Sequence, residues 1–126
     1  MNNERGRNLK ERTREFALRI VRLYADLPKT TVAQVLGKQL LRSGTSVGAH
    51  YREGTRSRSD AEFISKLEGA LQELEETRYW LELLAAERLA SQAALDSLTS
   101  EADELAAILT ASVKTVKARS CRNGER

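Results

Sequence analysis

Proline, cysteine and aromatic residues are scarce in this chain of 126 residues, which has one proline, one cysteine, one tryptophan and two phenylalanines. Strands favour aromatic and β-branched residues, and a single proline leaves long segments uninterrupted, so the composition argues against a β-sheet protein. Ala, Leu, Glu and Arg are abundant instead, and these are strong helix formers. The composition therefore predicts an all-α protein of one domain.

Long hydrophobic runs are also lacking. No apolar segment approaches the roughly 20 residues that a membrane-spanning helix needs. The first seven residues carry charges and polar groups where a secretory signal would be apolar. The single cysteine, Cys121, cannot form a disulfide within one chain, which is typical of a reducing compartment. We therefore expect a cytoplasmic protein that does not contact a membrane.

Apolar residues recur at three- and four-residue steps along four segments, a spacing typical of amphipathic helices. Pro28 would stop the first helix, and Gly54 would end the second. Thr31 and Ser59 begin capping-box patterns that would open the second and third helices. The predicted helices span about 9–27, 31–53, 60–88 and 91–118, with a flexible basic amino terminus at 1–8 and a disordered tail at 119–126.

Short connections make successive helices antiparallel, so the predicted fold is an up-down-up-down antiparallel four-helix bundle. Its apolar faces are wider than a monomer requires, because Gly69, Trp80 and Leu83 lie away from the main stripe of the third helix. These three residues are the predicted interface of a homo-oligomer. The alternative is that Trp80 covers the edge of the core within one subunit.

The most unusual segment runs from Gln39 to Gly54, where glycines interrupt a helical pattern. Each interior glycine costs about 0.5–1 kcal/mol relative to alanine, so the edge that holds Gly37, Gly44 and Gly48 predicts the close approach of another backbone. The other edge is a polar seam, which either fixes helix register by hydrogen bonds or faces a ligand cleft. The predicted assembly and seam residues are Gln39, Arg42, Ser43, Gly44, Ser46, Gly48, His50, Glu53 and Gly54, with Arg42 and Glu53 as ion-pair members.

Charge is unevenly distributed although the net charge is only +3. Residues 1–58 carry +8, residues 59–110 carry −9 and residues 111–126 carry +4. One interpretation is that a basic helix packs beside an acidic one, within or between subunits. The other is a basic patch for nucleic acid, which the end of the fourth helix joins if both termini lie together. The predicted contacts are Arg5, Arg7, Lys10, Arg12, Arg14, Arg56 and Arg58.

Catalytic patterns are missing from the sequence. A di-iron bundle needs paired Glu-x-x-His motifs, whereas the one histidine stands in the reverse order, His50-Tyr51-Arg52-Glu53. Ser43 and Ser46 are close enough in sequence to use His50 as a base, but residues at this spacing also pack side by side on one helix face. No phosphate-cradling loop is visible. We therefore expect no catalytic residue, no cofactor and no metal site.

Several short motifs recur together in one known family. They are Phe16 in the first helix, Asp26-Leu27-Pro28, Gln39-Leu40-Leu41-Arg42-Ser43 with Ser46-Val47, Glu53-Gly54, Ser59, Glu62-Phe63-Ile64 and Leu71-Gln72-Glu73-Leu74-Glu75. With these motifs the segment 14–84 resembles the four-helix-bundle family of proteins encoded in the intervening sequence of some bacterial 23S ribosomal RNA genes.

The resemblance implies a homo-oligomer, a ring of five bundles, with no established enzymatic activity. The family fold is also similar to that of the accessory protein of diversity-generating retroelements, a basic ring that works with a reverse transcriptase and nucleic acid, but this similarity concerns the fold alone. The chain departs from the family pattern at His50, where asparagine is typical. We therefore do not expect His50 to make the helix-helix or subunit contact that the asparagine amide would make in the family.

Two functions follow from the sequence. The first is a nucleic-acid-associated oligomer that binds RNA or DNA through its basic amino-terminal half. The alternative is a protein-interaction scaffold without nucleic-acid binding, for which the acidic residues of the third helix matter as much as the basic ones. A salt titration of nucleic-acid binding distinguishes the two.

Overall fold

A computed structural model describes the backbone of residues 3–122 and the side chains of residues 9–122. It contains four helices, α1 (Asn3–Ala25), α2 (Thr31–Thr55), α3 (Asp60–Ala86) and α4 (Gln92–Arg122). Successive helices pack against each other as an all-α up-down bundle, and α1 and α4 close it, which confirms the predicted fold. The largest fully buried side chains come from all four helices and include Phe16, Ile20, Leu40, Val47, Leu67, Leu74, Leu81, Leu84, Leu95, Leu105 and Leu109.

Side-chain caps begin the second and third helices. Ser59 is the N-cap of α3 and accepts a hydrogen bond from the Glu62 N–H, as predicted. The N-cap of α2 is Thr30 rather than the predicted Thr31, since the Thr30 hydroxyl accepts from the Ala33 N–H at 3.3 Å. Gln34 does not complete a capping box, because its amide donates to the Pro28 carbonyl at 2.9 Å.

The first and last helices are longer than predicted. Helix α1 begins at Asn3, within the segment 1–8 that the sequence predicts to be flexible. Leu9 packs into the core near this end, with 2% of its surface exposed. It ends at Ala25, before the predicted Leu27, because a residue that precedes proline is disfavoured in helical conformation. Helix α4 runs through residues 119–122 of the predicted tail, since no glycine or proline interrupts it. Residues 1–2 and 123–126 lie outside the described part of the chain.

Helix α3 ends at Ala86, two residues earlier than predicted. Arg88 has φ of 55°, in the left-handed region, and Leu89 donates back to the Leu84 carbonyl at 2.9 Å. Arg88 also donates to the Ala85 carbonyl, and the two bonds together form a Schellman motif. The sequence lacks the glycine that usually marks such an end.

The glycines of α2 allow close packing within the chain. A Cβ atom at Gly37 would lie 2.6 Å from Leu27, and one at Gly44 would lie 2.8 Å from Ile20. At Gly48 it would lie 3.2 Å from Thr13, so all three glycines face α1 of the same chain. The close neighbours are side chains of α1 and of the turn after it, whereas the sequence predicts another backbone, and only Gly48 has a backbone atom among its nearest neighbours. This edge is therefore covered within the chain and is not a free surface for assembly. Gly54 does not end α2 as predicted, because the helix continues to Thr55. Gly54 instead allows close packing against α3, since a Cβ there would lie 2.7 Å from Leu67.

No helix within residues 3–122 has the length and apolar character required to cross a membrane.

Candidate functional site

Helices α2 and α3 share a buried polar contact at mid-length. Thr77 donates to the Ser43 hydroxyl at 2.9 Å, and both side chains are fully buried. Ser43 also lies 3.4 Å from the Leu40 carbonyl of its own helix. Buried hydroxyl groups need hydrogen-bond partners, and a shift of α2 along α3 would separate these two. The contact therefore relates the register of α2 to that of α3.

Glu73 of α3 lies between two residues of the predicted polar seam. Arg42 is 3.4 Å from one Glu73 carboxylate oxygen and also pairs with Glu76, while His50 Nε2 is 3.8 Å from the other oxygen of Glu73. Glu73 is the better buried partner, with 19% of its side chain exposed against 50% for Arg42. The sequence places Glu73 in an acidic run, and only the pairing of α2 with α3 identifies it as the centre of this cluster.

Other predicted seam residues do not join the cluster. Gln39 is exposed, and Ser46 donates to the Arg42 carbonyl of its own helix at 2.7 Å. Glu53 pairs with Lys66 of α3 at 3.1 Å, so Arg42 and Glu53 both form ion pairs, but with different partners. The polar seam is therefore shorter than the sequence suggests, because the predicted arc extends beyond the side chains that α3 covers.

His50 packs directly over Gly69. A Cβ at Gly69 would lie 3.1 Å from His50 Nδ1, and this nitrogen is buried with no hydrogen-bond partner among residues 9–122. Gly69 is thus occupied by α2 of the same chain, which corrects its assignment to an oligomer interface. Neither Ser43 nor Ser46 is hydrogen-bonded to His50, since their hydroxyls reach carbonyl groups of α2 and Thr77.

Exposed apolar side chains lie on both α2 and α3, and we call Val32, Val35, Tyr79 and Trp80 together the apolar patch. Val32, Val35 and Tyr79 are 57%, 56% and 52% exposed. The Tyr79 ring lies 5.1 Å from the Trp80 ring. Trp80 is half-buried against the core, and its indole N–H has no hydrogen-bond partner among the described residues. Leu83, one helical turn further on, is also half-buried. Of the three predicted interface residues, the structure thus places Trp80 and Leu83 at the surface.

Basic residues gather at one end of the bundle. In an up-down bundle the start of α1, the α2–α3 connection and the end of α4 all lie at the same end. Three cations at this end are ion-paired, Lys66 with Glu53, Lys117 with Glu68 and Arg119 with Asp60. Among residues 9–122, six cations of this end have no ion-pair partner: Lys10, Arg52, Arg56, Arg58, Lys114 and Arg122. We call these six residues the basic end. Arg14 also has no ion-pair partner among the described residues, but it lies at the midpoint of α1 and outside this end.

Arg12 does not belong to the basic end. It donates to the Glu101 carboxylate at 2.8 Å and 3.1 Å and to Glu104 at 2.7 Å, which joins α1 to α4. The hydrogen bonds to Glu101 and Glu104 raise the pKa of Arg12 above its ordinary value. Its predicted role in nucleic-acid contact is therefore replaced by a bundle contact. The side chains of Arg5 and Arg7 lie outside the described residues.

A groove of about 350 Å³ opens at the basic end, between the α2–α3 connection and α4. Phe63, Arg58 and Val116 line it together with Ser57, whose hydroxyl oxygen is buried and has no hydrogen-bond partner among the described residues. Arg119 and Ser120 bind the Asp60 carboxylate at 2.7 Å and 2.6 Å on one wall. We call this cavity the end groove. The sequence alone could not place Phe63 beside Val116, because they come from different helices.

Comparison with known proteins agrees with this fold. The model of the family described as "23S rRNA-intervening sequence protein" matches residues 7–111. A crystal structure from Bacteroides thetaiotaomicron, titled as a protein of unknown function from the S23 ribosomal protein family, is 40% identical and superposes with a TM-score of 0.82. The match covers 87% of this chain and 98% of that one. No curated protein matches the chain.

Proposed function

The chain belongs to the 23S rRNA-intervening sequence protein family, which confirms the resemblance seen in its sequence, and we propose that it is a non-enzymatic homo-oligomer that binds nucleic acid through its basic end. The observation that carries the proposal is the set of cations without ion-pair partners at that end of the bundle. Three elements distant in sequence contribute them, namely the start of α1, the α2–α3 connection and the end of α4.

The charge of the remaining surface makes this end distinctive. In the other half of the bundle, the acidic residues of α3 and α4 outnumber the basic ones. Most surface cations in proteins are paired or dispersed, whereas a cluster on one face is typical of phosphate-backbone binding. Each neutralised phosphate releases counterions, so six available cations are enough for measurable affinity at low salt.

Assembly would multiply this charge. We propose that copies associate through the apolar patch of Val32, Val35, Tyr79 and Trp80, whose exposure in a single subunit supports an interface. The family resemblance suggests five copies in a ring. In a ring the subunits share one orientation, so their basic ends would lie on the same face. Self-association would therefore strengthen nucleic-acid binding by placing several basic ends side by side.

The non-enzymatic part of the proposal rests on the surroundings of His50. Its Nδ1 atom is buried against Gly69 and its Nε2 atom faces Glu73, so neither nitrogen faces a serine hydroxyl. A Ser-His pair for nucleophilic catalysis needs that hydrogen bond. The role that best fits His50 is packing between α2 and α3.

The test is a salt titration of binding to mixed-sequence RNA and DNA by fluorescence anisotropy. For wild type we expect log K to fall linearly with log salt, with a slope near −0.9 per phosphate contact on duplex DNA. Changing Arg52, Arg56 and Arg58 together to Gln should weaken binding at least tenfold at about 100 mM salt and flatten the slope. The matched control changes Arg22, Lys29 and Lys38 to Gln, which removes equal charge from the other half of the bundle.

Light scattering on the same samples tests the assembly. We expect a single species larger than a monomer, and replacement of Tyr79 with Asp should reduce its mass. A monomeric wild type would contradict the oligomer. Equal loss of nucleic-acid binding in the two triple variants would contradict the assignment of the basic end.

A protein-interaction scaffold is the second candidate, and the exposed apolar patch is the observation that favours it. The acidic surface of α3 would then orient a basic partner. Wild-type protein that binds neither RNA nor DNA at about 50 mM salt would favour this role over the first.

A further inference from the structure

We propose that the end groove holds one unpaired base of a single-stranded nucleic acid, with the base stacked on Phe63 and the neighbouring phosphate at Arg58. The inference rests on the proposed nucleic-acid binding and deepens it by naming the kind of nucleic acid. Its chemistry is recognition of a splayed base by an aromatic ring next to a free guanidinium.

Phe63 provides a fixed stacking surface. Its ring lines the end groove, while the same side chain packs against the hydrophobic core and is only half-buried. A ring held by the core has already lost its rotational freedom, so a base that stacks on it does not have to order it. The volume of about 350 Å³ falls in the range of small-ligand sites.

The polar groups around the ring suit a nucleotide. Arg58 is exposed and makes no ion pair among the described residues, so its guanidinium is available to a phosphate. The Ser57 hydroxyl is buried with no partner in the part of the chain that the structure describes, and it can donate or accept at the edge of a base or at a sugar. Asp60 would repel a phosphate if it stood alone, but Arg119 and Ser120 bind its carboxylate.

This arrangement favours single strands over duplexes. In a duplex the bases are stacked on one another, so the face of a base reaches an aromatic side chain only after base flipping. The cations of the basic end can bind either form through phosphates, whereas Phe63 adds affinity only for an unstacked base. The groove therefore predicts a preference that charge alone does not provide.

The experiment compares a 20-nucleotide mixed-sequence RNA strand with its duplex, using the full chain at about 100 mM salt. Phe63→Leu removes the stacking face but retains an apolar side chain, and we expect roughly tenfold weaker binding of the single strand with duplex affinity unchanged. Phe63→Trp should retain or strengthen single-strand binding. Val21→Ala is the control, because it truncates an exposed apolar side chain near the end of α1, away from the groove and outside the proposed subunit interface.

Arg58→Gln should weaken both forms. Circular dichroism melts confirm that each variant is folded, and the tryptophan variant tests the ring itself if the leucine variant is unstable. Equal affinity of wild type for strand and duplex, or a parallel loss of both in Phe63→Leu, would overturn the inference and leave the proposed function standing. Failure of wild type to bind either nucleic acid would overturn both.

Discussion

Helix α2 has two interfaces, and they achieve specificity by different means. Towards α1 it presents Gly37, Gly44 and Gly48, so that side chains of α1 approach its backbone. Towards α3 it presents Ser43, Arg42 and His50, which meet Thr77 and Glu73. The first interface depends on the absence of side chains and the second on the presence of particular ones. At the α1–α2 interface most substitutions of a glycine should therefore destabilise the protein strongly. At the α2–α3 interface the loss of one polar contact should reduce stability by a smaller amount.

The largest effect is expected at Gly44. A Leu side chain there would enter the space of Ile20, which is fully buried and has no room to move. Overpacking of this kind costs about 3 kcal/mol or more when the neighbour cannot shift. Thermal melts should show a large loss of stability or no cooperative unfolding. Ala49→Leu on the exposed side of α2 is the control, and a wild-type melting temperature for Gly44→Leu would contradict close packing at α1.

Removal of the buried hydroxyl pair should have a medium effect. Thr77→Val is expected to cost about 1–2 kcal/mol, because Ser43 loses its interhelical partner in a dry interior. The double variant Ser43→Ala with Thr77→Val should lose less stability than the sum of the losses in the two single variants. The reason is that Ser43→Ala removes the hydroxyl that Thr77→Val leaves without its partner. Denaturant unfolding of the four proteins measures this coupling. Strict additivity would show that the two hydroxyls act independently.

Gly69 should behave differently from Gly44 although both face another helix. Its neighbour His50 is partly exposed and can move, so Gly69→Ala is expected to change the free energy of unfolding little, within about 0.5 kcal/mol, as helix propensity offsets crowding. In a His50→Ala background the same change should stabilise by about 0.8 kcal/mol. A large destabilisation in both backgrounds would mean that the backbone, rather than His50, limits the space.

A similarly small effect is expected for Arg42→Gln. The side chain is half exposed, and screened surface pairs contribute about 0–1 kcal/mol. Its loss should lower stability by about 0.5 kcal/mol at low salt and by less at high salt, where the ion pairs are screened. Unfolding measured at two salt concentrations tests this. An effect as large as that of Thr77→Val would place the ion pairs, rather than the hydroxyls, at the centre of the α2–α3 interface.

Much of the fold followed from local signals. Periodic apolar residues, Pro28 and the Ser59 cap located four helices, and the short connections predicted their antiparallel packing. The errors lie at the helix ends. Leu9 stabilises a helical start to α1 that its charged sequence obscures, and Arg88 takes a left-handed conformation usually reserved for glycine. Helix ends depend on tertiary contacts as well as on local preference.

The candidate site was less predictable than the fold. The sequence identified cations, but it could not tell that Arg12 binds Glu101 while Arg58 makes no ion pair within residues 9–122. Folding also brings Phe63 and Val116, from different helices, to the groove beside Arg58. Ion pairs and grooves form between residues that are far apart in sequence, so periodicity within one helix carries no information about them.

By itself, the sequence determined that α2 needs close contact on one edge and polar partners on the other, because glycine spacing and polar spacing are properties of a single helix. Only the tertiary structure decided which neighbours meet these needs: α1 covers the glycines, and α3 supplies Thr77 and Glu73. The same packing leaves the basic end and the apolar patch uncovered. Which surfaces are buried depends on all four helices together, since a helix face is buried only where a neighbouring helix packs against it.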